Sequence, residues 1–184
     1  PLGCCVRAVK RANLRKDSTV LVVGLGSIGI LMAQALNAFG MDVIGCDLIQ
    51  ERINLLKELG IEALNVKDLP ERLEADAVFM TSGADKAIDT ALKAVRNGGT
   101  ILVFSSTPQN TGYPNNEIYY RELTVLGSYS PSPEDLRESL ELLRTGKVKV
   151  KNISTPYEFV NIQKAFDDTV ANRIMKAYIV INKD

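Results

Sequence analysis

The sequence predicts an α/β protein, a doubly wound parallel sheet of six strands with helices packed on it. Three observations carry this expectation. Short aliphatic and β-branched runs alternate along the chain with segments of helical periodicity, an order that implies parallel pairing through right-handed crossovers. Glycines stand where helices should stop. The junction between the first strand and the helix after it reads Gly24-Leu25-Gly26-Ser27-Ile28-Gly29.

Pro1-Leu2-Gly3 reads as the start of a helix, so 1–16 is expected to be a linking helix from a preceding segment of a longer protein. Thr19 to Val23 is a continuous β-branched and aliphatic run, as expected of a strand covered on both faces. From Ser27 the pattern is helical: Ile28, Leu31, Met32, Ala35, Leu36 and Phe39 share one face, making this the best amphipathic helix in the chain, with Gly40 as its stop. The order then repeats with a strand at Asp42 to Cys46, a helix from about Gln50 to Leu59, and Gly60 after it. A weaker third strand is expected at Ile61 to Leu64 and a fourth at Ala77 to Met80. Thr81-Ser82-Gly83 leads into a helix whose Ile88, Ala91, Leu92 and Val95 align. Asn97-Gly98-Gly99 should close that helix, before a fifth strand at Thr100 to Phe104 and a sixth at Glu122 to Gly127.

Ser132-Pro133-Glu134-Asp135 is a strong helix start, with an N-cap serine, proline at the first helical position and acids in the first turn. Leu136, Leu140 and Leu143 carry that helix to Gly146. A connection, a helix around Asn161 to Val170 and a final strand at Ala177 to Ile181 complete the chain. The expected organisation is therefore 1–16 as linker, 17–130 as the sheet domain, and 131–184 as a C-terminal helix and strand segment.

Composition narrows the partners. Lys plus Arg and Asp plus Glu both total 22, so no net charge is available to hold a nucleic-acid backbone or an anionic membrane. No apolar run approaches the ~20 residues of a membrane span, and the first residues lack a signal pattern, which predicts a soluble, cytoplasmic protein. Cys4, Cys5 and Cys46 form neither a C-x-x-C pair nor a disulfide framework and read as structural. The chain contains no histidine, which removes the commonest metal ligand and the commonest general base near neutral pH.

The glycine triplet has a chemistry of its own in this position. The first glycine permits the tight turn, the second lets backbone approach a pyrophosphate, and the third lets the helix pack closely on the strand. The helix N-terminus then offers N–H donors and partial positive charge to the phosphates. Such a site calls for an acid about 20 residues on, at the end of the second strand, to accept from the adenosine ribose. Asp47 occupies that place; its bland role is to cap the next helix. A carboxylate there repels a 2′-phosphate and favours NAD over NADP. Arg52 either touches the ribose, softens that repulsion, or is a solvated helix charge.

At this point the sequence resembles the zinc-dependent medium-chain alcohol dehydrogenases, most nearly their polyol, sorbitol and threonine dehydrogenase branch. The resemblance rests on Pro1-Leu2-Gly3, the Val22 to Gly29 motif, Asp47 with Arg52, Arg96-Asn97-Gly98-Gly99, Leu126-Gly127-Ser128-Tyr129 and Leu143-Arg144-Thr145-Gly146-Lys147. It covers essentially this whole chain and about half of a full family member, and implies a six-stranded Rossmann sheet followed by a helix-strand remnant of the catalytic domain. It implies that Gly24, Gly26, Ser27, Ile28 and Gly29 form the cofactor-binding loop and helix start, and that Arg52 joins Asp47 at the adenosine ribose. It also sets Thr81, Ser82 and Gly83 near the nicotinamide, Phe104, Ser105 and Ser106 after the fifth strand, and Ser128 and Tyr129 beside the carboxamide. Lys176 falls where members often carry an arginine that reaches the pyrophosphate. Zinc ligands, proton relay and most of the substrate pocket would lie upstream of Pro1, so zinc is expected only in the full-length protein. This chain should bind NAD(H) without catalysis, in the service of hydride transfer from a small alcohol or polyol. The family also implies a homodimer or homotetramer formed through the edge strand Leu123 to Gly127. Two other readings stay open: a non-catalytic NAD-sensing domain, and a zinc-independent quinone reductase-like oxidoreductase, against which Asp47 speaks.

Overall fold

Six strands, β1 (Thr19–Val23), β2 (Asp42–Asp47), β3 (Glu62–Asn65), β4 (Ala75–Met80), β5 (Val95–Val103) and β6 (Thr124–Gly127), form one parallel sheet in the order β3-β2-β1-β4-β5-β6. The computed structural model describes residues 1–84, 86–106 and 112–181. The helices are α1 (Leu2–Ala12), α2 (Ser27–Ala38), α3 (Gln50–Glu58), α4 (Lys86–Ala94), α5 (Asn115–Tyr120), α6 (Pro133–Arg144) and α7 (Ile162–Val170). The predicted doubly wound sheet is therefore present. The chain divides into two compact units, Pro1–Val148 and Lys149–Asp184.

In the first unit β1 is the central strand, and Val20 to Val23 are buried on both faces. From β1 the chain moves one way to β2 and β3, then returns across the sheet to β4 on the other side. Right-handed crossovers in opposite directions put α2 and α4 on opposite faces. The reversal opens a crevice beyond the carboxyl ends of β1 and β4.

α2 is buried more completely than its single apolar stripe predicts: Ile30 and Ala33 are as inaccessible as Met32 and Leu36. The cause is α1, which packs against it and takes the face expected to meet solvent. α1 is fixed in turn to α6. Lys10 donates to Asp135 at 3.1 Å, and Arg7 lies 3.6 Å from the same carboxylate. Asp135 also completes a capping box with Ser132 at the start of α6.

Several boundaries differ from expectation for identifiable reasons. β3 starts at Glu62, because the Ile61 N–H is taken by Leu56 O at the end of α3. β4 starts at Ala75, two residues early, because Asp76 interrupts the apolar run while staying in the strand; it accepts from the Thr19 N–H and from Arg96. Residues 97–99 do not close α4. Val95 already pairs with Ala75, residues 96–99 loop out with Gly98 at φ 69°, and Thr100 resumes opposite Ala77. β6 begins at Thr124, because Glu122 adopts φ 50° and the Leu123 N–H binds Ile118 O, ending α5. The short α5 itself carries no periodic signal long enough to read.

The second unit is a small βαβ element. β7 (Thr155–Glu158) runs parallel to β8 (Ala177–Val180), with α7 between them. β7 escaped prediction because Pro156 sits inside it. Asp168 on α7 accepts from the Tyr157 hydroxyl at 2.6 Å and from Arg173 at 2.7 Å, joining strand, helix and connection.

Candidate functional site

The carboxyl ends of β1, β2 and β4 converge on a cavity of about 420 Å³. Its floor is the glycine loop. Gly24 has φ 94°, a conformation open to glycine and strained for other residues, and its N–H donates to Cys46 O at 2.8 Å. Gly29 packs its α-carbon directly on the Gly24 carbonyl, leaving no room for a Cβ. Gly26 differs: a Cβ there would meet nothing within 4 Å, so its surface is open to a ligand. Gly26 is also the N-cap of α2 and supplies no side-chain acceptor. The first-turn N–H groups of α2 are thus free of a side-chain cap at the edge of the cavity, the arrangement that receives phosphate oxygens.

Asp47, 8% exposed, ends β2 at the cavity wall. Its Oδ2 accepts from the Leu25 N–H at 2.6 Å, and its Oδ1 from the N–H groups of Leu48 and Ile49 at 2.7 and 2.9 Å. Arg52 approaches Oδ2 at 3.4 Å. The carboxylate therefore caps the turn into α3, as the bland reading expects, while it stands beside the glycine loop. Thr81 donates its hydroxyl to Gly24 O at 2.6 Å, with Val23 O at 3.1 Å. Ser82 closes over Gly24, where a Cβ on the glycine would lie 2.8 Å from that of Ser82.

The remaining predicted residues fall into two groups. Ile28, Phe104, Ser128 and Tyr129 line a second cavity of about 430 Å³ with Pro1 and Cys4, and Ser105 and Ser106 join Phe104, Ser128 and Tyr129 in a third, of about 500 Å³. Gly83 lies close to Ser106 O, where an added Cβ would come within 2.8 Å of that oxygen. Ser27 opens α2. Lys176 belongs to the second unit, where its carbonyl accepts from the Thr155 N–H at 2.8 Å.

Sequence reasoning missed Leu48, Ile49, Val66, Lys86 and Thr90 on the first cavity. Leu48 and Ile49 are exposed apolar residues immediately after a buried strand, a signal of a ligand-facing wall. Lys86 stands in the first turn of α4, where the helix dipole disfavours a cation. A larger cavity of about 840 Å³ lies between the loop before β4, α4 and α5; its lining is strongly charged, and two of its arginines are engaged in ion pairs, Arg96 with Asp76 and Arg121 with Glu117.

Cys5 and Cys46 offer no nucleophile or metal ligand here. Burial pushes Cys46 up to about 12, reinforced by the neighbouring Asp47, and burial pushes Cys5 up to about 12. Among the described residues no group of three or more Cys, Asp or Glu is placed to hold a metal ion. None of the described helices is long and apolar enough to cross a membrane.

Comparison with known proteins agrees with this geometry. A family model described as zinc-binding dehydrogenase matches residues 24–145. Sorbitol dehydrogenase 1 of Saccharomyces cerevisiae is 32% identical over 94% of this chain and 53% of its own length. Among solved structures, L-idonate 5-dehydrogenase from Escherichia coli aligns with TM-score 0.89 at 20% identity, over 98% of this chain and 55% of that one. Acetophenone reductase from Geotrichum candidum, solved in complex with NAD, aligns with TM-score 0.84 at 24% identity, over 98% and 53%. The chain spans about half the length of the relatives it matches.

Proposed function

The chain belongs to the zinc-binding dehydrogenase family, the zinc-type medium-chain alcohol and polyol dehydrogenases, and from that premise we propose that it binds NAD(H) for the oxidation of a small alcohol or polyol. The observation that carries the reading is the Asp47 carboxylate at the end of β2, in one cavity with an open Gly26 and an uncapped α2 N-terminus. NAD, when bound, supplies the hydride acceptor. In this reading the first turn of α2 receives the pyrophosphate, and Asp47 and Arg52 meet the adenosine ribose diol. The negative charge of Asp47 disfavours a 2′-phosphate, so NAD is chosen over NADP.

Ile28, Thr81, Ser82, Phe104, Ser128 and Tyr129 border the path from that ribose toward the second cavity, which suits the nicotinamide half. The residues present do not fit zinc: the chain has no histidine, and Cys5 and Cys46 are buried thiols held protonated. No step is therefore assigned to a metal in this part of the protein, and the chain alone binds cofactor without turning over substrate. The likeness to a sorbitol dehydrogenase supports a polyol as the substrate class.

Assembly through β6 completes the reading. Among the described residues this strand is outermost and pairs with β5 alone, and it leaves Val125 38% exposed; Tyr119 and Tyr120, on the helix before it, are exposed as well. Pairing of two β6 strands extends the sheet across a homodimer or homotetramer and removes an open edge. Three free cysteines fit a reducing compartment, the cytoplasm. Calorimetric titration with NAD and NADP tests the central claim: saturable NAD binding with much weaker NADP is expected, and equal affinity for both overturns the role given to Asp47.

A further inference from the structure

We propose that Thr81 is a positioning residue that acts through the glycine loop, by holding one peptide unit whose other end is held by Asp47. The carbonyl of Gly24 and the N–H of Leu25 belong to the same peptide plane. Thr81 donates to that carbonyl at 2.6 Å from the end of β4, and Asp47 accepts from that N–H at 2.6 Å from the end of β2. The Gly29 α-carbon packs against the same carbonyl oxygen, and the Thr81 hydroxyl lies within 2.9 Å of where a Gly29 Cβ would be.

A glycine at φ 94° has an unusually free neighbouring peptide, because no Cβ resists its rotation. Left unheld, the Gly24–Leu25 plane turns readily and carries a carbonyl oxygen toward the place where phosphate oxygens are received. Two side chains from strands on either side of β1 remove that freedom before any ligand arrives. The site is thereby preorganised, and the ordering is not charged against binding. A peptide held at both ends also couples its two holders: losing either frees the plane that the other grips.

This inference rests on the proposed binding of NAD at the glycine loop, and it deepens that reading by separating a nicotinamide contact from a loop clamp. The test is calorimetric binding of NAD and of ADP-ribose, which lacks the nicotinamide, to the wild-type chain, Thr81→Val and Thr81→Ser. The clamp predicts that Thr81→Val weakens both ligands by the same factor, about five- to tenfold for one lost hydrogen bond, and that Thr81→Ser restores both to within about twofold. Loss confined to NAD overturns the clamp and makes Thr81 a nicotinamide contact; unchanged affinity for both overturns it outright. Should Thr81→Val prove too unstable to measure, Thr81→Cys, with its weak donor, carries the same comparison. Amide hydrogen exchange at Leu25 reads the clamp without ligand: exchange should quicken in Thr81→Val and stay slow in Thr81→Ser, and an unchanged rate overturns the proposal. Absence of NAD binding by the wild type with a Leu25 amide that responds to Thr81 sinks the function reading and leaves the clamp standing.

Discussion

Gly29 stands with its α-carbon against the carbonyl oxygen of Gly24, so the first turn of α2 and the end of β1 touch backbone to backbone. This contact sets how near the α2 N-terminus comes to the cavity. Gly29→Ala places a methyl group where a backbone oxygen already lies, with no flexible side chain to yield. The helix must shift, and destabilisation of about 3 kcal/mol is expected from forced overpacking, read as a fall in the thermal midpoint. Gly26→Ala meets open space and should keep the fold while lowering NAD affinity; stability loss equal to that of Gly29→Ala would contradict the division between a packing glycine and a ligand-facing one.

Asp47→Ala strips acceptors from the N–H groups of Leu25, Leu48 and Ile49 at once. Destabilisation of about 1–3 kcal/mol is expected from the unpaired buried donors, together with weakened NAD binding and a narrowed gap between NAD and NADP. Asp47→Asn keeps one acceptor oxygen and should retain more stability than affinity. Chemical denaturation and calorimetry on both variants separate the two roles.

Acid should attack the chain through Asp76 and Asp135. The hydrogen bond from Arg96 leads in holding Asp76 below the ordinary carboxylate range, helped by the Thr19 N–H. For Asp135 burial works upward and is outweighed by the Ser132 N–H together with Lys10, so it too lies low. A carboxyl with a depressed folded value contributes stability that is fully present above its unfolded value, about 4, and lost as pH falls through the folded value. The unfolding midpoint should therefore decline below about pH 4 and stay level just above it. Asp76→Asn and Asp135→Asn should each flatten that decline, and an unaltered acid profile in both would refute the assignment.

Arg121 terminates α4 from a distance in sequence. Its guanidinium donates to Leu92 O in the last turn of that helix, to Val95 O at the start of β5 and to the Asn97 side chain, while Glu117 pairs with it. Three differently directed acceptors require a planar fork, so Arg121→Lys should recover little of the ~1–3 kcal/mol lost in Arg121→Ala. Full rescue by lysine in denaturant titrations would mean that charge alone matters.

Thiol titration at pH 8 should count one reactive cysteine in the native chain and three after unfolding. Cys5 and Cys46 are buried and pushed up to about 12, whereas Cys4 is half-buried at the wall of the second cavity. Reaction is controlled by the thiolate fraction and by access. Prompt modification of all three in native protein would show that the core opens readily.

The sequence made the sheet and the glycine loop legible because both depend on local rules. An apolar strand, three glycines and an acid at a set interval specify β1, the turn and Asp47 with little help from tertiary context. What stayed hidden depended on partners far away in the chain. Thr81 and Asp47 gripping one peptide is invisible until β2 and β4 lie on either side of β1. The burial of Ile30 and Ala33 requires α1, and the early start of β4 requires that Asp76 find Thr19 and Arg96. Lys86, in the first turn of α4, reaches the cavity only because the fold sets that helix start beside the ends of β1 and β2, which no periodicity encodes.

The looped-out residues 96–99 give β5 a place where chain length and strand alignment are uncoupled. Ala75 pairs with Val95 and Ala77 with Thr100, so the pairing upstream and downstream of the loop is fixed independently of how many residues lie between. An insertion that spares the Arg96 pair with Asp76, the Asn97 contact with Arg121 and the packed Gly99 lengthens the loop at the amino end of the strand and leaves Thr100 to Val103 in register with β4 and β6. Phe104 and Ser105 then arrive at the carboxyl end unmoved. Extra length can therefore enter beside the exposed Gly98 without retuning the crevice, which makes it a site for grafting a tag or a reporter peptide.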